Sequence, residues 1–142
     1  MSKTAIDPAV RAAVAEEAKY RCGYCLTQTL TSGFTMQIDH IIPEAADGTS
    51  DADNLWLACS TCNSHKAAKV SATDPQSGEI APLFNPRLQN WADHFHWTDD
   101  GVRIVGLTPT GRATVEALRM NNIQILKSRF LWAGAGWHPP TD

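Results

Sequence analysis

Four cysteines stand in two Cys-x-x-Cys pairs, Cys22/Cys25 and Cys59/Cys62, and the chain has no others. Each pair can set two thiolates on one turn, and two such turns complete a tetrahedral zinc site with no open coordination position. Zinc held this way is structural. Between Cys25 and Cys59 lie 33 residues, more than the usual ribbon spacing of about 15–20. The surplus contains Asp39-His40 and Asn54, and Asn63 follows Cys62 directly. A histidine of ordinary pKa near ~6.5 can serve as a general base at neutral pH, and a carboxylate can hold a hard divalent ion such as Mg²⁺ or Mn²⁺. Asn63 can offer an amide oxygen to the same ion as Asp39, while Asn54 can bond loop backbone and hold His40 in place. Lys66, three residues past Asn63, shares its helical face and is a candidate phosphate contact. An activated water and a cation near the developing charge are what phosphodiester hydrolysis needs.

These side chains need elements to position them. Asp7-Pro8 reads as a capped helix start, with an alanine-rich stretch running to about Lys19. Thr29–Gly33 is turn-like. Phe34 to Ile42 alternates as a strand, with Phe34, Met36 and Ile38 on one side, and Pro43 with the acidic segment after it ends the strand. On a strand, residues 39 and 40 point to opposite faces, so Asp39 and His40 share a site only near a strand end or bend. Leu55–Ala58 is a short apolar strand leading to Cys59, and helical residues run from about Thr61 toward Val70. The segment 71–90 is rich in Pro, Gly and Asn and reads as a connecting loop. His96-Trp97, the Asp99–Gly101 turn and Val102–Leu107 suggest a hairpin. Thr108-Pro109 starts another helix, and apolar helical faces continue to about Trp132. The fold class is α+β: a ββα core with a structural zinc on its four cysteines, preceded by a helix and followed by a hairpin and helices.

The stretch RCGYC…MQIDHIIPEAADGTSDADNLWLACSTCNSHK resembles the HNH endonuclease family in its zinc-bound ββα-metal form, over residues 20–70. The resemblance implies His40 as general base, Asp39 and Asn63 as ligands of one catalytic Mg²⁺ or similar ion, and Asn54 as the residue orienting the loop that bears His40. It further implies hydrolysis of DNA, double-stranded by expectation, to 5′-phosphate and 3′-hydroxyl ends. Where many relatives carry a double glycine, this chain has Ala46-Asp47-Gly48, which alters a loop and no proposed ligand. The later stretch PLFNPRLQNWADHFHW…GLTPTGRATVEALRMNN is similar to the C-terminal part of a group of small bacterial HNH proteins.

Length and composition fit this reading. At 142 residues with 43% hydrophobic content, one domain over 1–142 is expected, with a core at 20–70 and an extension at 80–138. A formal net charge of −3 gives no broad attraction to nucleic acid, so a DNA contact has to come from a local basic patch. No apolar run approaches the ~20 residues that cross a bilayer. The N-terminal stretch lacks the apolar run of a signal peptide, which with paired thiols suggests a reducing cytoplasmic setting. His65 and Lys69 read as surface groups. His94 and His96 read as aromatic packing beside Trp91 and Trp97, and Arg112, Glu116 and Arg119 as one salt-bridged helix face. Arg87, directly after the loop proline Pro86, carries no assigned role. Two other functions fit the same residues: a zinc-supported nucleic-acid-binding or interaction module without turnover, and an RNA-cleaving toxin using the same site.

Overall fold

Asp7 and Pro8 begin the first helix as their types predict. In the computed structural model, which describes residues 6–141, helix α1 spans Pro8–Glu17, and the Asp7 carboxylate accepts from Ala9 N at 2.8 Å. The outer limits of the expected single domain, residues 1–5 and 142, lie outside the described residues. Val14 is fully buried against the core. Lys19 and Tyr20 both adopt positive φ and turn the chain into the Cys22–Cys25 knuckle, where Leu26 N donates to Cys22 O. Gly23 packs so closely on the Trp56 indole that any Cβ there would run into the ring. One helical turn, α2 (Thr29–Ser32), occupies the stretch read as a turn and closes on Gly33 in the left-handed region.

Strand β1 covers Gln37–His40, and it pairs antiparallel with β2 (Leu55–Ala58), Gln37 opposite Ala58 and His40 opposite Leu55. The predicted strand began at Phe34. It starts later because β2 ends at Ala58, where the chain enters the second cysteine knuckle and leaves residues 34–36 no partner. Phe34 is instead exposed and meets Trp132 edge-on at 6.5 Å. Helix α3 (Ser60–Lys66) follows β2, with the Cys59 sulfur accepting from Cys62 N at its start. It ends at Ala67, at φ 49°, rather than reaching Val70. β1, β2 and α3 form the expected ββα unit of a mixed α+β fold.

The segment expected as a loop contains a second hairpin, β3 (Ser71–Thr73) with β4 (Ile80–Pro82). Three-residue strands flanking the turn DPQSGE leave no alternation long enough to read. Asp74, fully buried at the start of this hairpin's turn, takes two hydrogen bonds at 3.0 Å from Arg112. Arg112 was expected to pair along its own helix with Glu116; a bidentate carboxylate inside the fold holds it better than an exposed neighbour one turn away. A short turn α4 (Trp91–His94), the hairpin of β5 (Phe95–Trp97) and β6 (Ile104–Gly106), and helices α5 (Pro109–Ala117) and α6 (Ile123–Gly134) complete the chain. Thr108 and Asn122 cap the two helices, accepting from Gly111 N and Ile125 N. Between them Arg119 takes a positive φ and breaks the helical run.

One hydrophobic cluster joins the cysteine region to the later elements: Cys22, Tyr24 and Leu57 with Phe84, Phe95, Ile104 and Leu118. Trp91 Nε1 donates to Tyr24 O at 2.7 Å, and Phe84 meets Tyr24 edge-on. His94 joins the packing against Phe84 and bonds Thr108 Oγ1, whereas His96 points outward and is exposed. Arg87 braces α1 against β2: it holds Glu17 through two bonds of 3.1 Å, donates to Leu55 O, and lies over the Trp56 ring. That hydrogen-bonded ion pair keeps the Glu17 carboxyl below its usual range. Among the described residues, no helix is long and apolar enough to cross a membrane.

Near the C-terminus, His138 packs on Trp97 and Trp132 and is buried. Burial, and then the nearby Arg129 charge, lower its pKa from 6.5 to about 4. A folded-state value below the unfolded one means that the unfolded chain takes up a proton between those values that the native state refuses. Stability from this group is therefore complete above pH ~6.5 and falls as pH drops through ~4, by up to about 3 kcal/mol. An NMR titration of the His138 ring should find its midpoint near 4; a midpoint at the ordinary 6.5 would contradict the packing described.

Candidate active site and metal centre

The two knuckles converge. The sulfurs of Cys22, Cys25, Cys59 and Cys62 all lie within 4.8 Å of one another, and all four residues are buried. Cys25 and Cys59 sulfurs are 3.7 Å apart, against an edge of about 3.8 Å for a tetrahedron with Zn–S bonds of about 2.3 Å. Backbone N–H groups of Tyr24 and Cys62 point at the sulfurs of Cys22 and Cys59, each at 3.4 Å, and Thr27 Oγ1 lies 3.1 Å from the Cys25 sulfur. Burial pushes the Cys22 thiol well above its ordinary value, while the hydrogen bond with Cys22 holds Cys25 well below it. Four sulfurs at this spacing, with donors aimed at them, fit a zinc ion.

The other predicted residues gather at the end of β1. His40 is half-buried, with Nε2 3.0 Å from Ser50 Oγ. It is the last strand residue, as a shared site with Asp39 demands. Asn54 is buried and spends its whole amide on the loop leaving that strand: Oδ1 accepts from Ile42 N at 2.9 Å, and Nδ2 donates to Ile42 O at 2.9 Å and Thr49 O at 2.7 Å. Its own carbonyl accepts from Ile41 N. The loop folds back so tightly that Gly48 lies against the Ile42 carbonyl, with no room for a Cβ. Replacing Asn54 by Ala removes three hydrogen bonds worth about 1 kcal/mol each. A loss of about 2–3 kcal/mol in urea unfolding is expected, with faster amide exchange over residues 41–50; an unchanged midpoint would remove Asn54 as the loop's anchor.

Asp39 lies almost fully enclosed. Tyr24 OH donates to its Oδ2 at 2.6 Å and Lys66 Nζ to its Oδ1 at 3.3 Å. Burial raises the Asp39 carboxyl above its usual range, against the pull of Lys66 and Tyr24. Lys66 is itself 1% exposed and donates also to His40 O at 3.0 Å. It is turned inward and braces the strand end, so the phosphate contact expected of it is not the contact it makes here. Asn63 donates from Nδ2 to Gln37 Oε1 at 2.7 Å, which leaves its Oδ1 as the acceptor. Asp39, His40 and Asn63 line a single open cleft, together with Pro43, Glu44 and Ala67. The carboxylate and the amide oxygen are hard donors suited to a divalent ion with several waters. His65 is partly exposed and bonds back to Thr61 O, and Lys69 donates to His65 O.

The buried cysteine cluster and the Asp-His strand end lie in one stretch of the chain. Residues 22–69 match the HNH endonuclease family. No curated protein and no solved structure is matched by this chain. The HNH match supports a nuclease-type function in general, with nucleic acid as the partner. Tyr24, inside the first knuckle, and Ser50, in the acidic loop, bond directly to Asp39 and His40 and were not singled out from sequence. Tyr24 carried one signal, as an aromatic between two metal-binding cysteines that has to be buried with them. Ser50 carried none, because only the Asn54-pinned loop brings it to His40.

Proposed function

We propose that the protein is a metal-dependent endonuclease that hydrolyses DNA phosphodiester bonds, leaving 5′-phosphate and 3′-hydroxyl ends. The observation that carries this reading is the shared cleft of Asp39, His40 and Asn63 inside the HNH segment. His40 takes the proton from the attacking water, with Ser50 Oγ on Nε2 fixing the ring's orientation. Asn54 holds the strand end against the loop, so the imidazole does not swing out of the cleft. Asp39 and Asn63 would hold a Mg²⁺ or Mn²⁺ ion, which when bound supplies positive charge to the phosphate as it gains negative charge. Lys66 steadies Asp39 and the His40 carbonyl from behind. The cysteine site sits apart from this chemistry and acts as the clamp joining both ends of the loop.

One observation favours a second reading, a nucleic-acid-binding module without turnover. Both Asp39 oxygens are already engaged, by Tyr24 and by Lys66, so a divalent ion has to share the carboxylate with a buried ammonium. Supercoiled plasmid incubated with zinc-loaded protein separates the two. Nicked or linear product with Mg²⁺ or Mn²⁺, abolished by EDTA, supports the nuclease; plasmid retarded in a gel yet uncut under all metals supports the binding module.

A further inference from the structure

Arg129 carries a charge into the interior that its hydrogen-bond partners do not neutralise. It projects from α6 and is fully enclosed. Its terminal nitrogens donate to neutral oxygens only: Nη1 to Val102 O at 3.0 Å and Asn121 Oδ1 at 3.2 Å, and Nη2 to Met120 O at 2.6 Å. Its Nε has no hydrogen-bond partner among the described residues. No carboxylate among the described residues pairs with it, and a buried cation without an anion is strongly unfavourable. Trp97 lies under the guanidinium at 5.1 Å, which offsets part of that cost.

The anions it needs are the thiolates. Arg129 lines the same cavity as Cys25, Cys59, Cys62 and Thr27. Cys25, Cys62 and Cys59 are the groups that favour its charged form, against the larger opposing effect of burial. Zinc on four thiolates leaves two negative charges in excess, on buried sulfurs that water screens poorly. We propose that Arg129 is the counter-cation of the four-cysteine metal centre, with its Nε available to the Cys25 sulfur. The guanidinium offsets one of the two excess charges, and its hydrogen bonds to Val102, Asn121 and Met120 hold it there. The metal centre is then completed by the C-terminal helix, outside the HNH segment: α6 slows loss of zinc, and bound zinc favours the seating of α6.

The proposal rests on the zinc reading of the cysteine cluster and not on nuclease activity. Its test is zinc release from the zinc-loaded full chain to a chromogenic chelator at neutral pH. Arg129→Met is expected to release zinc about 10–100-fold faster than the unaltered chain, the usual scale for losing a partner of the ligands. Arg129→Lys keeps the charge but not the fork, and is expected to release zinc less than about tenfold faster. With cobalt in place of zinc, the sulfur-to-metal charge-transfer band should shift in Arg129→Met and stay in place in Arg129→Lys, a response that general loosening of α6 would not give. Zinc release and cobalt spectrum both unchanged in Arg129→Met would overturn the proposal. Should Arg129→Met not fold, Arg129→Lys decides: release less than about tenfold faster supports it, and release about tenfold faster or more overturns it. An unaltered chain that binds no zinc removes both the zinc reading and this one, whereas zinc bound with no effect of Arg129 removes only this one.

Discussion

His40→Ala is expected to slow plasmid nicking by about 10²–10⁴-fold while leaving fold and zinc content intact. The size follows from the role: a general base contributes to the barrier of the chemical step and little to binding. The safety of the substitution follows from the surroundings. His40 is half-buried, its ring bonds the Ser50 hydroxyl, and the backbone carbonyl that receives Lys66 survives the change. Circular dichroism and metal analysis should therefore match the unaltered protein. Nicking within about tenfold of the unaltered rate would take the base away from residue 40. Ser50→Ala is the milder companion, removing only the group that orients the imidazole.

Loss of zinc should have the largest effect on the fold itself. The four thiols lie inside the main hydrophobic cluster, beside Tyr24, Leu57, Phe84 and Phe95. Without metal, four buried sulfurs at this separation face one another with no shared cation. Structural zinc sites bind with about 10–16 kcal/mol, comparable with the whole stability of a domain at about 5–15 kcal/mol. Cys59→Ser, or prolonged exposure to a strong zinc chelator, should abolish the cooperative thermal transition and the near-ultraviolet signal of the packed tryptophans. A metal-free chain that melts at the same temperature with the same signal would show that the cluster is only a set of buried thiols.

Much of this arrangement was legible in the residues. The two Cys-x-x-Cys pairs announced their own convergence, because few other uses exist for that spacing. Asp7-Pro8, Thr108-Pro109 and the four residues Leu55–Ala58 each carried a local physical signal strong enough to place an element. What escaped notice was decided by distance in the fold. Lys66 looks like a surface lysine on the helix after Cys62, and nothing local says that Asp39 and the His40 carbonyl will take it inside. Arg112 had a plausible partner in Glu116 one turn away, but Asp74 is 38 residues off in sequence and 3.0 Å off in space. The β3–β4 hairpin fell below the length at which alternation can be read. Phe34 lost its strand because of where its partner ended, a fact belonging to β2 and the second knuckle.

The packing of Tyr24 bears on whether the HNH-matching segment could be moved to another protein. A chain shortened to end at Lys69 would keep every matched residue, all four cysteines and the Asp-His pair. It would lose the Phe84 ring set edge-on to Tyr24, the Trp91 indole bonded to the Tyr24 carbonyl, the Arg87 strut to Glu17, and Arg129. Tyr24 is the residue whose hydroxyl holds Asp39. Water admitted to one side of that ring would reach the carboxylate on the other, so grafting this chemistry elsewhere means carrying the later hairpins and helices along as its housing.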